Sequence, residues 1–77
     1  MAAYRMKITT TQYRQARKGC FITDERPKLA EELVLVMPTC RGRRIIPVGV
    51  VQMIEPVGMY RHLVWVHGLK HVEGMDY

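Results

Sequence analysis

Three arginines crowd one glycine in the stretch PTCRGRR, residues 38–44. A guanidinium is always charged, and its paired N–H donors match two phosphate oxygens at once. A glycine among such residues lets backbone amides turn towards the same anion. Arg41, Arg43 and Arg44 therefore read as an anion-binding turn. A second basic set, Arg14, Arg17 and Lys18, recurs at i, i+3 and i+4 within TTTQYRQARKG, which puts the three on one face of a helix. Tyr4, Tyr13 and Tyr60 offer rings on which unpaired bases stack. The expectation is a nucleic-acid contact, RNA or DNA, made by Arg14, Arg17, Lys18, Arg41, Arg43, Arg44 and Tyr13. Hairpin arginines also have a plainer use, keeping a tip in water and discouraging edge pairing.

Other chemistry finds less support. His62, His67 and His71 with Cys20 and Cys40 contain the atoms of a metal site but not its spacing, since no CxxC or HxxH pair occurs. His62 and His67 also fall on opposite faces of one strand. A Cys40–His62 nucleophile pair would still need an oriented base, an oxyanion hole and a cleft, more than so short a chain has room for. Glu31 and Glu32 are neighbours that point apart, and Glu55 stands alone before a proline. No serine or asparagine occurs anywhere, so a serine nucleophile and base reading through asparagine are excluded. The expectation is a non-enzymatic protein without metal or cofactor.

A third group is apolar. Met53, Met59, Met75, Val57 and Tyr60 gather around one turn and the carboxyl-terminal tail. Methionine-rich surfaces adapt to protein partners, and small cores also use methionine as filler. GMYR is an unusual place to hide two large side chains, so Met59 and Tyr60 are the protein-binding candidates. The alternative function is that of a phage- or plasmid-type accessory protein, docked on an acidic surface of larger transcription or nucleic-acid-processing machinery.

Composition frames these readings. The chain has 77 residues, 48% of them hydrophobic, and a net charge of +5. That is one small domain with a thin stability margin, and self-association or a partner would add buried area. Residues 1–44 carry ten Lys/Arg against four Asp/Glu, and residues 45–77 carry two against three. The basic half suits a polyanion. The opening MAAYRMKITTT lacks the apolar core of a signal peptide, and no apolar stretch is long enough to cross a membrane. Cys20 and Cys40 then read as free thiols packing as small hydrophobes in a reducing, cytoplasmic compartment.

These residues need elements to hold them. YRMKI alternates like a short edge strand. A threonine among Thr9–Thr11 caps a helix that Gly19 ends. Thr23 or Asp24, with Pro27 in the first turn and Leu29 and Leu33 paired at i, i+4, predicts a second helix running into the strand LVLVM, which Pro38 ends. TCRGRR is the turn, and IIPVGVVQMI is the next strand, in which Pro47 and Gly49 suggest an edge position or a bulge and bend. Residues 56–58 form a second turn. HLVWVH is the last strand, with Leu63 and Trp65 on one face, Val64 and Val66 on the other, and Trp65 buried. The fold class is α+β: one or two short helices on a three- to four-stranded antiparallel sheet or partly closed barrel. In size and strand number this resembles small SH3-type or PUA-like barrels, and no RNP1, KH or zinc-ribbon motif accompanies the likeness.

Overall fold

Thr9 starts the one helix among residues 5–74, the part of the chain that the computed structural model describes. Its hydroxyl accepts from the Gln12 N–H, and the Gln12 side chain accepts from the Thr9 N–H, at 3.1 and 3.0 Å. That reciprocal pair satisfies two donors that a helix start leaves open. The helix, α1, spans Thr10–Lys18. Gly19, at φ 151°, ends it, and its N–H donates to the Ala16 carbonyl.

The strands are β1 (Arg5–Ile8), β2 (Cys20–Thr23), β3 (Glu32–Thr39), β4 (Gly42–Val57) and β5 (Arg61–His67). They form one mixed sheet in the order β1-β3-β4-β5-β2. β1 runs parallel to β3, and every other neighbouring pair is antiparallel. β1 and β2 are the two edges, and α1 joins them with one residue on either side. At the β2 edge, Gln12 Nε2 donates to the Ile22 carbonyl and the Ile22 N–H donates to Gln15 Oε1. Helix amides thus occupy backbone groups that an edge strand would otherwise leave open.

β4 organises the sheet. Its first half pairs with β3 as far as Val50, and its second half pairs with β5 from Val50 onward. Sixteen extended residues would reach roughly 50 Å, yet the longest dimension of the molecule is 37 Å. The strand must therefore bend. It does so at two bulges, where Val48 and Gln52 are the extra residues. Gly49 lies between them because a Cβ there would stand 2.6 Å from Val66 Cγ1 and 3.0 Å from the His67 carbonyl oxygen. The bend brings the inner faces of the two halves together. Leu33, Leu35 and Ile8 meet Val51, Val64 and Phe21, with Tyr13 and Ala16 of α1 in the same core.

Several expectations are corrected. The sheet has five strands rather than three or four, includes a parallel pair and is not closed. Of the one or two short helices expected, one is present among the described residues. Residues 24–31 form bends and a turn because Ala30 takes a left-handed φ of 63° and Leu33 is claimed by β3, opposite Met6. Leu29, meant to pair with Leu33 on a helix, is 67% exposed. Pro38 does not end its strand, since β3 continues through Thr39. The second turn is residues 58–60, because Pro56 and Val57 still pair with β5. Trp65 is half-buried, and Val64 holds the core position. No helix among the described residues is long and apolar enough to cross a membrane.

Candidate nucleic-acid interface

The end of the β3–β4 hairpin carries the arginines. β1 accompanies β3 only as far as Leu35. Beyond it, Val36 faces Ile45, Met37 faces Arg44, Pro38 faces Arg43 and Thr39 faces Gly42, so residues 36–45 form a two-stranded arm. Cys40 and Arg41 are its turn. The turn is fixed locally: Thr39 Oγ1 accepts from the Arg41 N–H and donates to the Gly42 carbonyl, at 3.3 and 3.2 Å. Gly42, at φ 128°, supplies a conformation that side chains resist.

All residues from Pro38 to Ile45 are exposed, and the arm holds three arginines and no acid. The arginine turn expected from sequence is thus partly a strand. Arg41 sits at the end, whereas Arg43 and Arg44 are successive strand residues that leave the ribbon on opposite sides. All three border one shallow hollow at the tip, together with Thr39 and Cys40. Four residue rises carry the hairpin about 13 Å past β1, but Met37 still packs against the core, so the fully exposed end spans two of those rises and the turn, about 7 Å. A two-stranded ribbon fits the ~12 Å width of a B-form major groove, and this end reaches most of its ~8.5 Å depth. Both strands of the arm lack an outer neighbour among the described residues, and Pro38 stands in that single-paired stretch, where proline removes a donor that another strand would need.

Arg14, Arg17 and Lys18 are exposed on α1; Arg14 and Lys18 point away from Ala16, whereas Arg17 stands one turn after the buried Tyr13, at the edge of the packed face. Arg17 and Lys18 occupy the last turn, where cations suit the helix dipole. They lead into β2, on the other half of the folded sheet from the arm. The two basic sets are therefore separate features carried by different halves.

Tyr13 is removed from the site. It is 0% exposed, and its hydroxyl donates to the Lys70 carbonyl at 2.6 Å, pinning the segment after β5 to the helix. No base can stack on it. Tyr4 and Met75 lie outside the described residues. Cys20 and Cys40 are free thiols. Cys20 is half-buried beside Trp65, but Cys40 is exposed at the arm's tip and does not pack as expected. His62 and His67 do face opposite ways, and His62 Nδ1 is buried without a hydrogen-bond partner among the described residues. No three His, Cys, Asp or Glu side chains come together there. Met59 and Tyr60 are 85% and 74% exposed at the β4–β5 turn. Sequence reasoning missed the arm's length, whose only signal was the apolar run continuing on both sides of the arginines. Comparison with known proteins finds no matching family model, no matching curated protein and no matching solved structure.

Proposed function

We propose that this chain is a non-enzymatic binding protein that grips duplex nucleic acid, DNA foremost, by placing the β3–β4 arm in a groove. One observation carries the reading: an exposed two-stranded ribbon of major-groove width holds arginines on both sides and no carboxylate among its own residues. A ribbon in a groove meets a phosphate backbone on each flank, and Arg43 and Arg44 suit one flank each. A-form RNA has a deep, narrow major groove that such a ribbon does not enter, so DNA is the better fit. Arg14, Arg17 and Lys18 supply further phosphate contacts where the duplex passes α1.

The test is titration of a labelled duplex across a salt series. The logarithm of affinity falls linearly with the logarithm of salt, by about 0.9 for each phosphate neutralised. Arg43→Gln and Arg44→Gln should each make the slope shallower by about one unit, and the double variant by about two. An unchanged slope, or no binding at low salt, removes the proposal. A second reading, docking on a larger protein, is favoured by the exposure of Met59 and Tyr60, because aromatic anchors dominate small interfaces. Failure to bind any oligonucleotide at low salt would leave that reading in front.

A further inference from the structure

We infer that Arg41 is the residue of the arm that reads a base, and that the base is guanine, met on its major-groove edge; this rests on the groove-binding reading above and adds a sequence preference to it. The three arginines stand at three depths. Cys40 and Arg41 make the turn itself, and Arg43 and Arg44 follow Gly42 along β4. At about 3.3 Å per residue, Arg43 is set back one rise behind Gly42 and Arg44 two. An exposed end of about 7 Å in a groove about 8.5 Å deep brings the tip within a side chain's length of the floor. Phosphates line the rim of a groove, and base edges form its floor. Arg43 and Arg44, set back towards the rim and leaving the ribbon on opposite sides, are placed for phosphates. Arg41 is placed for a base.

The groups at the tip narrow the choice of base. Thr39 Oγ1 is engaged within the turn, accepting from the Arg41 N–H and donating to the Gly42 carbonyl. Cys40 is exposed, but a thiol is a weak donor. Residues 36–45 include no carboxylate to accept from cytosine and no amide to pair with adenine. Of the hydrogen-bonded pairings that side chains make in the major groove, arginine with guanine O6 and N7 is the one left. The guanidinium donates two parallel hydrogen bonds to that pair of acceptors. No ion pair or hydrogen bond holds the Arg41 side chain among the described residues, so none is broken to make the contact. The hydrogen bonds that fix the turn leave the backbone at Arg41 little freedom to lose on binding. One arginine reads one guanine, so the outcome is a preference for G·C pairs rather than recognition of a long site.

Titration of labelled duplexes of equal length with the full chain, at low salt, tests it. A good bidentate pair discriminates by roughly five- to hundredfold. A G·C duplex should bind more tightly than an A·T duplex by such a factor. Inosine in place of guanine keeps O6 and N7 and removes only the minor-groove amine, so its duplex should bind like the G·C one. 7-Deazaguanine lacks the N7 acceptor and should lose most of the preference. Arg41→Ala, at an exposed position, should bring the ratio of the two affinities close to one, and circular dichroism checks that the variant is folded. Arg43→Gln should weaken both duplexes alike and keep the ratio.

Equal binding of the G·C and A·T duplexes overturns the assignment of Arg41 to guanine while leaving the groove reading in place. So does an inosine duplex bound like the A·T one, or an Arg41→Ala variant that weakens both duplexes by the same factor. Absence of binding to every duplex at low salt removes the assignment and the groove reading together.

Discussion

Replacing Gly49 with alanine tests the bend in β4. On general grounds the substitution should stabilise: alanine leaves the unfolded chain less freedom, a gain of about 0.4–1 kcal/mol where the native backbone tolerates it. Gly49 is not among the glycines with positive φ, so the backbone raises no objection. The obstacle is steric. The added Cβ would stand 2.6 Å from Val66 Cγ1 and 3.0 Å from the His67 carbonyl oxygen. Val66 is a branched side chain packed against the core, and the carbonyl belongs to a paired strand, so neither yields freely. Overpacking of this kind costs about 1–3 kcal/mol, which outweighs the entropic gain. The net loss is about 1–2 kcal/mol. For a domain of this size that lowers Tm by about 5–15 °C. Thermal unfolding of Gly49→Ala measures it. A variant as stable as the wild type would mean that β4 and β5 do not approach this closely, and the two-halved sheet would lose its pivot.

The remaining predictions concern Tyr13 and the last strand. Tyr13→Phe removes the donor to the Lys70 carbonyl and should cost about 1–2 kcal/mol in urea unfolding. Oligonucleotide affinity should not change, whereas a stacking role would lower it. Val64→Ala should cost about 2–3 kcal/mol, because Val64 is fully buried against Phe21 and Ile54. Trp65→Ala should cost less than the roughly 3–5 kcal/mol of a core tryptophan, and the order of these two variants in one denaturation series decides which face of β5 is the core.

What could be read in advance was what local chemistry decides. Thr9 and Gly19 bracket α1 because capping needs only residues three or four apart. Pro47 and Gly49 announced irregularity inside β4, and the bulge is there. The errors came from distant partners. Thr23, Pro27 and the Leu29–Leu33 spacing are sound helix signals, yet Leu33 gains more beside Met6 in a parallel ladder than in an isolated turn. Nothing near residue 33 reveals that β1 will arrive on that side. Tyr13 shows the same thing in the site. Its placement on a helix face was legible, but its fate rests on a carbonyl 57 residues away. Arg43 and Arg44 were assigned to a turn because the glycine was taken as its centre, when Gly42 is the first residue of β4.

The prolines explain why the chain's contacts should run through side chains rather than backbone. Pro38 stands in β3 beyond the reach of β1, Pro47 in β4 before β5 begins, and Pro56 in β4 after β3 has ended. Each occupies a stretch with a neighbour on one side only. Those are the places where another strand would add to the sheet, and a missing N–H there interrupts the ladder it would need. Gln12 and Gln15 do the same for Ile22 at the β2 edge. With these stretches interrupted, the sheet presents a charged ribbon end and an outer face carrying the exposed Met53 and Val57, and β4 contributes to both. The two bulges make that sharing workable, because each resets which residues of β4 point outward. A straight β4 could not present arginines at one end and Met53 with Val57 at the other while still closing a core between its halves.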